Sequence, residues 1–160
     1  MFKTKNGLSE ATRVKAVELL IARLADCIDL QTQTKHAHWN VKGPNFIALH
    51  ELFDKINEDA EGNVDDIAER IVQLGGVAEG TVRTAARRSS LSEYPPNTVD
   101  GRSHVEVLSN VLAAFGKSVR KAIADANDFG DADTADLFTE ISCSIDKWLW
   151  FVEAHQQADR

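Results

Sequence analysis

The sequence predicts an all-α fold, a four-helix bundle in which one long connection joins the second long helix to the third. Apolar residues recur at three- and four-residue steps in four stretches of about 25 to 30 residues. No stretch shows the apolar–polar alternation of a half-buried strand, and a polar, proline-bearing run from Gly75 to Arg102 separates the second stretch from the third.

The first helix is read from about Ser9 to Trp39, where Val17, Leu20, Ile21, Leu24 and Ile28 mark one apolar face. Gly43-Pro44 breaks it. The second helix carries Phe46, Phe53, Ala60, Ile67 and Leu74 at seven-residue intervals, with Leu49, Ile56 and Ile71 beside them, and Gly75-Gly76 stops it. The connection holds Tyr94-Pro95-Pro96 and at most a short helix, read from Glu79 to Arg88. The third long helix carries Val105, Leu108, Leu112, Phe115, Val119 and Ile123. An acidic turn, Asn127 to Asp133, leads to the fourth, with Leu137, Phe138, Ile141, Ile145, Leu149 and Val152. Residues 1–8 are read as a flexible tail and residues 9–160 as a single bundle domain. A long middle connection is what lets the second and third long helices run parallel.

At 160 residues with 43% hydrophobic content, the chain is long enough for one domain with a sizeable core. Its net charge of −7 repels phosphate backbones and attracts cations, so nucleic acid is not the expected partner. Cys27 and Cys143 form no CxxC pair and lie in apolar helical patterns, which suits two buried thiols in a reducing compartment. Charged residues interrupt the first apolar pattern, as no signal peptide allows, and no run approaches the roughly 18 apolar residues of a membrane span. A soluble, cytoplasmic protein is expected.

The candidate chemistry lies in His38, His50, Asp54, Asp65 and Glu69, because imidazole with carboxylate and no thiolate suits divalent metals such as iron(II). His50 and Asp54 are four residues apart on the second helix, as are Asp65 and Glu69, so each pair projects from one face. His50 and Asp65 are separated by roughly 22 Å along the axis, too far for one ion. Yet the two pairs are placed symmetrically about a midpoint near Asp59. If two copies of this helix cross antiparallel there, His50 and Asp54 of one chain meet Glu69 and Asp65 of the other, giving two identical sites per dimer. Gly62, close to the midpoint, favours close approach at about 1 kcal/mol of helix propensity. His38 falls in phase with the apolar stripe of the first helix and is suited to the same interface or to a hydrogen-bonded core position. The Glu-x-x-His motif of larger di-iron bundles is absent from the sequence, which disfavours a site held within one bundle.

The run Lys35-His36-Ala37-His38-Trp39-Asn40-Val41-Lys42-Gly43-Pro44-Asn45-Phe46 resembles the signature of the Dps-type mini-ferritins, the DNA-binding proteins from starved cells, which belong to the ferritin-like superfamily. So do Leu49-His50-Glu51-Leu52-Phe53-Asp54, Asp65, Ala68-Glu69-Arg70, Leu74-Gly75-Gly76, Asp133-Thr134-Ala135-Asp136 and Asp146-Lys147-Trp148-Leu149-Trp150-Phe151. The resemblance implies a ferritin-like bundle assembled from two-fold dimers into a hollow dodecamer. His38, His50 and Asp54 of one subunit with Asp65 and Glu69 of its partner would bind two iron ions per site. There hydrogen peroxide would oxidise iron(II), with ferric mineral stored in the cavity and the cell and its DNA spared oxidative damage. Trp39 stands where the family has a tryptophan beside the site that intercepts stray radicals, although interface packing explains it equally.

By the same resemblance Asp133 and Asp136 lie near acidic three-fold pores, where carboxylates focus a potential that draws cations inward. For Asp131 and Asp133, helix N-capping and the helix dipole are equal alternatives, leaving Asp136 the better pore candidate. His36 replaces the family's usual glutamine and is expected at the surface, with an accessory metal ligand as the lesser alternative; His104 and His155 are expected at the surface too. The family's DNA binding often relies on a lysine-rich tail, whereas only Lys3 and Lys5 precede the first helix. DNA binding is therefore expected to be weak. The rival function is a nucleoid-associated structural protein with a secondary metal site, and a helical interaction module without chemistry is the second alternative.

Overall fold

The computed structural model describes residues 1–158 and contains, among them, five helices: α1 (Glu10–Asn40), α2 (Phe46–Gln73), α3 (Val82–Arg88), α4 (Gly101–Asp128) and α5 (Ala132–Glu153). The predicted all-α bundle is what forms. α1 packs on α2 and α4, α5 packs on α4 and α2, and α3 lies against α1. Capping sets the starts: the side chains of Ser9, Asp100 and Asp131 accept hydrogen bonds from the amides of Thr12, Ser103 and Thr134. At the end of α2 the chain turns through Gly75 at φ 85°, and the Gly76 amide returns to the Ile71 carbonyl at 2.9 Å. The short helix begins at Val82 rather than Glu79, because Thr81 holds an extended N-cap conformation just after Gly80.

The long connection sets the topology. The Lys42 amide donates to the Val99 carbonyl and the Gly101 amide to the Lys42 carbonyl, so α4 starts beside the start of α2 and the two run parallel. Polar contacts hold the connection down. Asp26, fully buried, accepts from the amide and hydroxyl of Ser90 at 2.7 and 3.0 Å, and Asp29 accepts from the Ser89 hydroxyl at 2.6 Å. At the amino end the Phe2 amide donates to the Gly75 carbonyl at 2.7 Å, and Arg13 donates to the Leu74 carbonyl.

The core is built on Phe53, Phe115 and Phe138, none of them exposed, each burial contributing about 1.5–3 kcal/mol. At mid-bundle Asp59 on α2 accepts from the Ser144 hydroxyl and, at 2.8 Å, from the Trp148 indole N–H, which ties α2 to α5. The thiols differ from expectation. Cys27 is buried and its thiol pushed up by burial, whereas Cys143 is exposed, falling outside the α5 face set by Phe138, Ile141 and Ile145.

Candidate metal centre

α1 and α2 meet where the chain reverses at Gly43, and this brings His38 and His50 together with their rings stacked at 3.7 Å between centroids. Their hydrogen bonds are reciprocal. Nδ1 of His38 lies 2.8 Å from the His50 carbonyl, and Nδ1 of His50 lies 2.9 Å from the His38 carbonyl. A carbonyl only accepts, so each Nδ1 carries a proton, and a singly protonated ring presents its Nε2 lone pair. This arrangement fixes tautomer and ring orientation in metal-binding histidines. His38 is buried and His50 half-buried, so both rings are held by packing as well.

Asp54, one turn beyond His50 on α2, places a carboxylate oxygen 3.8 Å from Nδ1 of His38. Its partner in this chain is the Lys35 ammonium, whose hydrogen bond holds the Asp54 carboxyl below the usual carboxylate range. Lys35 was not singled out in the sequence. It lies on α1 one turn before the exposed Trp39, and the signal that finds it is the opposite charge facing Asp54 across the α1–α2 contact.

Asp65 and Glu69 lie apart from these three, exposed near the other end of α2. At about 100° per residue, His50, Asp54, Asp65 and Glu69 fall within a sector of roughly 100°, away from the core face of Leu49, Phe53, Ile56, Ala60, Ile67 and Ile71. Among the described residues, no three His, Cys, Asp or Glu side chains of one chain converge as a metal-holding group. The surrounding surface is apolar: Trp39 and Ile47 are 68% and 60% exposed, and Phe46 also reaches the surface. Gly62 lies on this side of α2, exposed, and an added Cβ would meet nothing within 4 Å in its own chain.

Of the expected pore residues, Asp136 is exposed and Asp133 is 84% exposed, with the Arg70 guanidinium 3.7 Å from it. Asp131 serves as the N-cap of α5 and pairs with Arg70 at 2.8 Å while almost completely buried. His155 is exposed, as expected. His104 is not: it is completely buried on the inner face of α4, its Nδ1 bonded to the Tyr94 hydroxyl at 2.5 Å, because the returning connection covers it. His36 is only partly exposed, its ring 5.0 Å from that of Tyr94. No described helix is long and apolar enough to cross a membrane.

Residues 17–160 match the family model for the ferritin-like domain, under the name Ferritin. The chain is 43% identical over 155 residues to the DNA protection during starvation protein of Agrobacterium fabrum, covering 97% of this chain and 96% of that one. The protein of the same name in Mycolicibacterium smegmatis is 33% identical over 152 residues, covering 95% and 82%. Among solved structures, Mycobacterium smegmatis Dps superposes with a TM-score of 0.94 at 32% identity, covering 99% and 90% of the two chains. Dps from Microbacterium arborescens in the high iron form superposes with a TM-score of 0.87 at 30% identity, covering 97% and 99%. Sequence, bundle topology and relatives together place this chain in the ferritin-like family, among the Dps-type mini-ferritins.

Proposed function

We propose that this protein oxidises iron(II) with hydrogen peroxide at sites shared between two copies of the chain, and stores the ferric product inside a closed homododecamer. The observation that carries the reading is the reciprocal bonding of His38 and His50, which fixes both rings, each with an unprotonated Nε2, beside the partly exposed Asp54 carboxylate. Two imidazoles and one carboxylate are an incomplete set for an ion that prefers more ligands, and Asp65 and Glu69 on the same sector of α2 supply the remainder from a second chain. Close approach at Gly62 fits such a crossing, since the chain's own packing leaves room there for a methyl group.

The reaction balances as two iron(II), one hydrogen peroxide and two protons giving two iron(III) and two water molecules. Each iron supplies one electron to a two-electron oxidant, so two ions held at one site avoid release of hydroxyl radical. In this scheme the histidines and carboxylates orient iron as substrate, and Asp136 with Asp133 draws cations inward through the exposed acidic surface. Trp39 beside the site intercepts radicals that escape. Protection of DNA, named in the relatives, follows here from consuming iron and peroxide in the cytoplasm rather than from coating DNA: twelve chains at −7 sum to roughly −84, a charge that repels the phosphate backbone.

The test is complementation between subunits. His50→Ala and Glu69→Ala homodimers each carry one lesion per site, and both oxidise iron poorly. In a mixed dimer one site collects both lesions and the other receives native residues from both chains. Random co-assembly makes about half the dimers mixed, so about a quarter of native sites return. Co-assembled variants that recover no rapid peroxide-driven iron oxidation would rule out the shared site.

A further inference from the structure

Tyr94 is the only tyrosine in the chain. It sits in the long connection, and its hydroxyl lies 2.5 Å from Nδ1 of His104, with the tyrosine 9% exposed and the histidine fully buried. The phenol has no other acceptor among the described residues, so its O–H donates to Nδ1 and the single N–H of the neutral ring is on Nε2. That Nε2 is buried, with no more than a weak approach to the Thr98 backbone for the ring. Anchoring the connection does not need a buried base; an apolar pair would serve.

The pair packs on the two helices that carry the metal centre. The Tyr94 ring lies 5.0 Å from His36, and the His104 ring lies 6.3 Å from Phe53. His36 is two residues before His38 and Phe53 one residue before Asp54, only roughly 3 and 1.5 Å apart along their helix axes but turned by roughly 200° and 100° around them, so the pair lies across α1 and α2 from the ligands. Trp39 lines the same surface cleft of about 620 Å³ as His36 and Tyr94.

We propose that Tyr94 and His104 form a proton-coupled electron donor for the metal centre, supplying the second electron when peroxide meets a single bound iron(II). The inference rests on the reading of this centre as an iron-oxidising site. One iron(II) reduces hydrogen peroxide to hydroxide and hydroxyl radical. Tyr94 gives an electron to that radical, making hydroxide, while its phenolic proton moves to Nδ1 of His104, leaving a neutral phenoxyl radical and an imidazolium. A second iron(II) arriving at the site returns an electron to Tyr94, and the proton goes back from Nδ1 to the phenoxyl oxygen. The sum is two iron(II) and one peroxide giving two iron(III) and two hydroxide, the same balance as the two-iron reaction. Burial raises the phenol and lowers the imidazole, so both are neutral in the resting pair and the proton moves only when the electron leaves.

Two arms test this on the assembled protein. In the first, flash-oxidised ruthenium tris-bipyridine replaces the iron chemistry as a one-electron oxidant, and electron paramagnetic resonance follows the radical. A tyrosyl signal is expected in the native protein, slowed in deuterium oxide, lost in Tyr94→Phe and diminished in His104→Gln. Because Tyr94 is the only tyrosine, the native protein alone decides: absence of a tyrosyl signal overturns the proposal even if a variant fails to fold. In the second arm, peroxide is added to protein carrying less than one iron(II) per site, with a spin trap present. More hydroxyl-radical adduct from Tyr94→Phe than from the native protein supports the relay, and equal adduct with iron oxidised in both overturns it. Iron that is not oxidised in either protein refutes the iron-oxidation reading, and with it the relay's role, whatever the ruthenium arm shows.

Discussion

Lys35 occupies the carboxylate that the proposed iron site requires, so replacing it with glutamine should tighten iron(II) binding. Two contributions set the size. The Lys35–Asp54 pair must open before Asp54 can ligate. With side chains 32% and 35% exposed it belongs with surface pairs, whose opening costs about 0.2–1 kcal/mol. Once displaced, the ammonium still repels the divalent ion. At a separation of about 8 Å in water that repulsion is roughly 1 kcal/mol, reduced to about 0.4 kcal/mol by physiological salt. Removing both gives about 0.6–1.4 kcal/mol, a dissociation constant about 3- to 10-fold lower in Lys35→Gln. Lys35→Arg keeps the charge and should leave affinity close to native. Anaerobic iron(II) titration by calorimetry on the assembled protein measures this directly. Unchanged or weaker affinity in an intact Lys35→Gln assembly would show that the pair does not compete with metal.

The same variant has an acid signature. Because Asp54 is held below its unfolded value, its contribution to stability is present above the ordinary aspartate pKa of about 4 and disappears as pH falls through the lower folded value. Lys35→Gln removes that contribution, so metal-free acid unfolding should begin at a higher pH than in the native protein. Coincident acid transitions by circular dichroism would contradict the assignment.

Asp136→Asn should slow iron uptake into the assembly while leaving single-turnover oxidation at the sites intact, as read by stopped-flow absorbance; identical uptake would count against Asp136 as a pore residue. Duplex DNA should show no strong gel shift at neutral pH and physiological salt, because Lys3 and Lys5 release few counterions and the tail that bears them is tethered through Phe2 to Gly75. Tight binding at that salt would overturn this expectation.

Periodicity made the long helices legible, since Leu20, Phe53, Leu112 and Phe138 must face a core wherever 3.6-residue repeats pack together. The candidate ligands were legible for a different reason: paired four-residue spacings survive in one dimension, and their symmetry about Asp59 does too. What spacing hides is polarity satisfied across the fold. His104 reads as a surface residue until the connection returns over α4 to cover it, and Lys35 reads as one more helical charge until α2 packs beside it. In the sequence Asp131 reads as an N-cap and favourable helix-dipole charge or as a pore charge. The structure adds a further role, as the nearly buried partner of Arg70, itself only 11% exposed. The consequence is a stability prediction on the metal-free protein. Asp131→Ala removes an N-cap worth about 0.5–2 kcal/mol and leaves a mostly buried guanidinium without its closest carboxylate, a loss that in buried pairs costs about 3–5 kcal/mol. Asp133, 84% exposed and 3.7 Å away, is too solvated to replace it. Pairing Asp131→Ala with Arg70→Leu should recover most of the charge penalty, because the double variant buries no lone charge, while the cap loss persists. Denaturant unfolding of the single and double variants separates the two contributions, and a double variant no more stable than Asp131→Ala would refute the buried-pair account.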